Sequence, residues 1–270
     1  MPTTPYDVVN VALNLARGRL NDSIVTTQAV SGKLLDMTQP QTQVLTCSAF
    51  RKFQEKLANL KYSGSEQEMD FAGVPGVTSM DPLVQVSIGF NGYFDGTVLQ
   101  PAPALPQNLI RPYKLWERPS GTTQLLTETD EVINGLPSIP KMSWNRQWEW
   151  RDDVLYMPGA TVPTDIRMRF AQYFADFLDN SPLPNTPWYG QPIPVMRCSD
   201  AFADYICCEA EIARQNPDAA MAFQSSGEAK AMTLVGRDTT QAQATPSTAQ
   251  IGKMRDGYTP KAGQPNTAKR

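Results

Sequence analysis

Val84-Gln85-Val86-Ser87-Ile88-Gly89-Phe90-Asn91-Gly92 decides the fold class. Before it, apolar residues recur every three or four positions. Here Val84, Val86, Ile88 and Phe90 alternate with polar or small residues, which is the period of a half-buried strand. Asn91-Gly92 is then the strongest short hairpin signal, because both residues tolerate positive φ. Thr97-Val98-Leu99 starts a further strand.

Upstream, residues 7–22 predict a short amphipathic helix with Val8, Val11, Ala12, Leu15 and Ala16 on one face. Thr4 or Asp7 offers an oxygen to its free N–H groups, and Pro5 suits a first turn. Gly18 and Asn21-Asp22 mark its fraying end. A loop with Gly32-Lys33-Leu34-Leu35 follows. Residues 44–60 predict a second helix, preceded by Pro40 and capped by Thr42. Its stripe is Leu45, Ala49, Phe53, Leu57 and Leu60, with Arg51, Glu55 and Lys56 off it. Helices this short do not hold themselves in water, so the stripes must pack on each other or on a third helix. Residues 64–82, polar and rich in glycine and acid, read as a loop and a domain crossing.

Downstream, a proline-rich connection (Pro101, Pro103, Pro106, Pro112) leads into the extended run Tyr113 to Arg118. Trp148 and Trp150 alternate with Gln147, Glu149 and Arg151. Asp152-Asp153 is a turn, Val154 to Met157 returns from it, and Pro158-Gly159-Ala160 ends that strand. Ile166, Met168 and Phe170 alternate with Arg167 and Arg169. Short strands separated by turn residues predict an antiparallel sheet folded as a small sandwich or barrel. Residues 182–194 hold five prolines and read as a connector. Cys198-Ser199-Asp200 then caps a helix reaching Gln215, with Phe202, Tyr205, Ile206 and Ile212 on its face. Asn216-Pro217 starts a last helix to Leu234, whose stripe of Ala220, Phe223, Gly227, Ala231 and Leu234 is small enough for another helix to approach closely. After Asp238 large apolar residues are few, and a flexible end is expected.

The fold expected is therefore α+β: a helical bundle from residues 1–64 and 195–237, an inserted antiparallel β-domain over 65–194, and a flexible tail over 238–270. Insertion between chain ends that meet in one domain is a common arrangement.

Composition narrows the chemistry. A chain of 270 residues can bury about three quarters of its unfolded surface. Its formal net charge of −3 lacks the basic excess that sequence-independent DNA binding needs. There is no histidine, which removes the commonest acid–base group and the commonest metal ligand. Cys47, Cys198, Cys207 and Cys208 lack zinc spacing. Cys207 and Cys208 would point about 100° apart on a helix and should not pair; buried or half-buried free thiols in a reducing compartment are expected. No phosphate-binding glycine loop or GxSxG elbow occurs, so no cofactor is expected. Neither a signal peptide nor an apolar run of about 20 residues is present, which points to cytoplasmic synthesis and no membrane partner. The acids Glu128, Asp130 and Glu131, and Asp152-Asp153, are placed in solvated turns. Trp144, Trp148 and Trp150 with Tyr156 could form a stacking platform, but the shared face of Trp148 and Trp150 favours sheet core.

Three stretches carry a resemblance: Asp7-Val8-Val9-Asn10-Val11-Ala12-Leu13-Asn14 with Arg17-Gly18-Arg19-Leu20-Asn21-Asp22; Gly32-Lys33-Leu34-Leu35; and Ala49-Phe50-Arg51-Lys52-Phe53-Gln54-Glu55-Lys56-Leu57. They resemble the head-to-tail adaptor proteins of tailed bacteriophages. Leu105 to Pro112 with Leu115-Trp116-Glu117-Arg118, and Trp148 to Asp153 with Asp165 to Phe170, look like structural proteins of the same phages. The resemblance implies a virion protein and no enzyme: a subunit of a dodecameric ring of identical copies under the portal protein. Such a ring extends the channel for genomic DNA without sequence-specific contact and offers a platform to a tail or nozzle protein. It also implies that the C-terminal segment docks on the portal, with Leu234, Ile251, Lys253, Met254, Arg255, Tyr258, Lys261, Lys269 and Arg270 as candidates. Val8, Val11, Leu15, Ala220, Phe223 and Ala231 are candidates for contacts between subunits. The rival readings are another tail, nozzle or capsid-decorating protein and, from a different class, a carbohydrate-processing enzyme using paired carboxylates, which would need a cleft with two carboxyl groups about 5–10 Å apart.

Overall fold

A computed structural model describes residues 7–20 and 35–244, with side chains to residue 237. The architecture is mixed α+β. Helices α1 (Val9–Arg19) and α2 (Pro40–Asn59) precede nine strands: β1 (Glu66–Val74), β2 (Val86–Gly89), β3 (Gly92–Phe94), β4 (Leu99–Gln100), β5 (Leu109–Pro119), β6 (Thr127–Glu131), β7 (Gln147–Arg151), β8 (Val154–Met157) and β9 (Thr164–Gln172). Helices α3 (Ser199–Ala213) and α4 (Pro217–Ala244) follow.

The strands form one sheet in the order β1-β9-β5-β6-β7-β8-β2-β3-β4. Phe71 of β1, Met168 of β9, Trp148 of β7, Leu155 of β8 and Tyr93 of β3 share one core. The ladder therefore curls until strands from its two halves face each other. This replaces the expected small sandwich or barrel. The sheet is also mixed, because β6 and β7 run parallel. The reason is the connection: residues 132–146 carry the chain across, and a parallel pair needs a dozen or more residues where an antiparallel pair needs two.

Two strands occupy segments expected to be loops. β1 is acid-rich, but Glu68 and Asp70 lie opposite Arg169 and Arg167 of β9. Both guanidinium Nε and Nη2 atoms of Arg167 donate to Asp70, at 2.7 and 2.9 Å; such cross-strand pairs support an exposed edge. β6 contains Glu128, Asp130 and Glu131. Glu128 accepts from Lys114 at 2.8 Å, and the hydroxyl of Thr129 donates to the Leu115 carbonyl at 2.9 Å. The hairpin glycine also acts differently. Gly89 pairs with Gly92, so Phe90-Asn91 makes the turn. Gly92 begins β3 at φ 136, and a Cβ there would lie 2.0 Å from the Gln100 carbonyl oxygen. It is needed because β4 crosses so closely. Asp152 and Asp153, with φ of 51 and 59, do form the two-residue β7–β8 turn.

The helices build a second core. α1, α2 and α4 all contact α3, and Phe50, Phe53, Phe177, Trp188 and Phe202 lie in one cluster. α2 begins earlier than expected: Pro40 occupies its first turn and Thr42 is buried within it. α1 buries Val9, Ala12, Leu13 and Ala16, a face rotated from the expected one and leaving Val11 and Leu15 outside. Ala12 and Ala16 belong to both possible stripes, so local period cannot choose between them; contact with α3 does. The Cys207 thiol reaches the Ala16 carbonyl at 3.5 Å. Asp7 does not cap α1. Its carboxylate accepts from Cys198 N at 2.6 Å and from the Ser199 hydroxyl at 2.7 Å, so it caps α3 from 191 residues away.

The proline-rich connector packs tightly. Gln191 and Ile193 are fully buried, Ile193 N donates to the Asp7 carbonyl at 2.6 Å, and Val8 bridges Pro192. The two cores meet at a small patch of Ala58, Tyr113 and Ala171, where the Tyr113 hydroxyl donates to the Ala58 carbonyl at 2.7 Å. α4 continues past Leu234 to Ala244, so the helix takes in the first residues assigned to the flexible tail.

Candidate functional site

The surface around α3 is where the candidate residues can be placed. α3 is buried on most sides, so its acids are held by partners from three helices. Asp204 accepts from Arg19 at 2.6 Å, from Lys230 at 2.7 Å and from the Ser226 hydroxyl at 2.7 Å. Asp200 pairs with the same Arg19 and with Lys230 at 3.1 Å. Glu209 accepts from the Ser48 hydroxyl at 3.0 Å and pairs with Lys52. Glu228 of α4 receives Lys56 of α2 at 2.5 Å, and this hydrogen bond holds its carboxyl below the usual range. Each pair crosses between helices. Together they fix how α1, α2 and α4 sit on α3 and leave most of these charges compensated.

The candidates for subunit contact divide. Val11 is 50% and Leu15 40% exposed on the outer face of α1, while Val8 is half-buried. Ala220 and Ala231 are buried inside the chain, and Phe223 packs against the same helical core. The small stripe of α4 receives α3 of its own chain: a Cβ on Gly227 would meet the Tyr205 ring at 3.0 Å. Ala220 and Ala231 are thereby corrected as surface candidates. Leu234 also packs on the helical core. Ile251, Lys253, Met254, Arg255, Tyr258, Lys261, Lys269 and Arg270 lie outside the described residues. Sequence reasoning missed the exposed Val44 of α2 and Met221 and Met232 of α4. Their signal was an apolar residue off the helix stripe.

Glu117 and the four thiols, groups with catalytic potential, are held in structural settings. Glu117 is buried, and its carboxylate accepts from the backbone N–H groups of Asn145 at 2.9 Å and Arg146 at 2.6 Å and from the Asn145 side chain at 3.1 Å. It anchors the entry to β7. Burial pushes the Cys207 thiol up to about 12 and raises those of Cys47, Cys198 and Cys208, which keeps them protonated and poorly nucleophilic at neutral pH. Trp148 lies in the sheet core, Trp150 packs at its margin, and the Arg169 guanidinium sits over Trp116 at 5.4 Å. Among the described residues, no group of three or more acids and cysteines could hold a metal ion, and no helix is long and apolar enough to cross a membrane. Compared with known proteins, the chain matches no family model and no curated relative.

Proposed function

We propose that this chain is a virion structural protein, the head-to-tail adaptor that forms a ring under the portal protein. In this reading the terminal helices form the bundle that builds the ring wall, and the sheet region is an insertion between them. The ring extends the DNA channel and holds the tail or nozzle. The chain acts by shape and makes or breaks no bond. One observation carries the reading: α1 and α4 both pack on α3, and each leaves apolar side chains exposed. α1 leaves Val11 and Leu15 outside, and α4 leaves Met221 and Met232 outside. α4 is 28 residues long, about 42 Å, and residues 245–270 follow it in sequence. Helical apolar side chains beyond those a core requires suit packing against further copies. The net charge of −3 suits a wall that DNA slides past.

Imaging of the intact particle tests this directly. The chain should occupy a ring at the collar between capsid and tail; its presence elsewhere overturns the proposal. A chain truncated after Ala244 should fold with an unchanged melting temperature and fail to join the portal. Normal assembly of the truncated chain overturns the docking role. Self-association or capsid binding without portal would move the protein to the tail, nozzle or decoration class.

A further inference from the structure

We propose that a cavity beside the start of α3 binds an acidic, apolar-flanked segment of another polypeptide through Arg197 and Arg237. The cavity has a volume of about 290 Å³, at the small end of ligand pockets and suited to a few side chains. One wall is a face of α4, since Lys230, Leu234 and Arg237 recur at helical spacing and all line it. The other walls carry Tyr62, Met196 and Arg197.

The charge count points to the ligand. Arg19 and Lys230 are matched by Asp200 and Asp204 in the quartet described above, which is neutral. Arg197 and Arg237 are left over. Both are exposed, and among the described residues neither has an ion-pair partner. Among the described residues the cavity therefore presents two uncompensated guanidinium groups above apolar walls. Arg197 also holds a φ of 56, a left-handed conformation uncommon for a residue other than glycine or Asn and Asp, and enriched where a side chain is aimed at a task. Guanidinium groups pair with carboxylates through two parallel N–H donors, and the apolar walls favour a ligand whose acids neighbour an apolar side chain. A nucleic-acid backbone fits less well. It calls for a run of cations over an open surface, whereas this is a single concavity with Asp200 at its edge. The chain's own residues 245–270 carry Lys253, Arg255, Lys261, Lys269 and Arg270 against Asp256, so charge disfavours them as occupants.

The inference stands apart from the adaptor reading, since the cavity would take such a segment wherever the chain resides. Its test is made in solution, whereas that reading is tested in the particle, so either can fail alone. A library of random twelve-residue peptides is selected on the full chain and on the R197E/R237E variant. The unaltered chain should enrich peptides with two acids beside an apolar residue. The best of them should bind at least tenfold more weakly to R197E/R237E, which should instead enrich peptides carrying Lys or Arg. R197Q/R237Q, with an unchanged circular-dichroism melt, should lose the acidic class without gaining the basic one. Absence of acidic enrichment overturns the proposal, and so does an acidic class retained on both variants. Binding of a random 20-base-pair DNA duplex that both variants abolish, without acidic peptides, assigns the cavity to phosphate and overturns it as well.

Discussion

The helical and sheet regions hold their charges differently. In the helical region the acids pair across helices: Asp204 is buried, and Asp7, Asp204 and Glu228 each tie elements far apart in the chain. In the sheet region the buried acid Glu117 is held by backbone N–H groups, and ion pairs are laid outside, between neighbouring strands, as Asp70–Arg167 and Glu68–Arg169 are. Aromatic rings follow the same division. Phe202 meets Phe50, Phe53 and Phe177 with ring centroids 5.4 to 6.2 Å apart, whereas the sheet core mixes Trp148 and Tyr93 with aliphatic side chains. The helical region thus depends on a shared aromatic cluster and a few ion pairs between helices, and the sheet on a continuous ladder of strand pairs. A point change should matter more in the first.

The largest expected effect is at Phe202, which is fully buried. Phe202→Ala should cost about 3–5 kcal/mol in urea unfolding, and amide exchange should accelerate in α1, α2 and α3 before the sheet. Equal acceleration in both regions would erase the contrast. Next is Asp7→Ala, which removes the cap of α3 and should cost about 1–2 kcal/mol. A helix capped from the opposite end of the chain should then fray at its start, visible as lost protection of the Cys198 amide. In the sheet, Asp153→Gly should change stability by less than about 0.5 kcal/mol, because Asp tolerates the left-handed conformation and the small penalty that glycine relieves is offset by the entropy it adds to the unfolded chain, about 0.4–1 kcal/mol. A larger loss of stability would mean that the turn carboxylate makes a contact that matters.

The smallest effect is acid loosening of the sheet surface. The Thr97 hydroxyl first, and then the Val98 and Thr97 backbone N–H groups, hold the Asp95 carboxyl at about 2. The Arg167 hydrogen bond lowers that of Asp70. Folded values below the unfolded range of about 4 mean that the folded state holds fewer protons. This stabilisation is complete above about pH 4 and is lost as pH falls toward about 2. Protection of amides in β1 and at the start of β4 should decline across that window. No decline in either strand would show that these carboxylates are indifferent to folding.

Period and turn chemistry made much of the fold legible. Residues 84–90 and 166–170 alternate, residues 113–118 read as extended and 154–157 as a strand returning from a turn, and strands β2, β9, β5 and β8 lie there. Asn216-Pro217 marks the start of α4, and Asp152-Asp153 turns as read. β1 and β6 were illegible because a charged strand looks like a loop until its partner is known, and Arg167 lies 97 residues from Asp70. The candidate surface was half legible. Val11 and Leu15 were named and are exposed, but Ala220 and Ala231 were named and are covered. A small helical stripe predicts a close neighbour without saying whose helix it is.

The sequence by itself determined the local features: where the period changes from helix to strand, where chain reversals fall, and that the thiols would be buried or half-buried. These depend on side chains within a few residues of each other. Tertiary structure alone decided which face of α1 turns inward, that Asp7 caps α3, that the sheet curls and turns mixed at β6 and β7, and that Arg197 and Arg237 have no ion-pair partner among the described residues. Each of these rests on a partner distant in sequence. Ala12 and Ala16 fit two helix faces equally well, and a carboxylate accepts from any N–H within reach, so only the packed chain could choose.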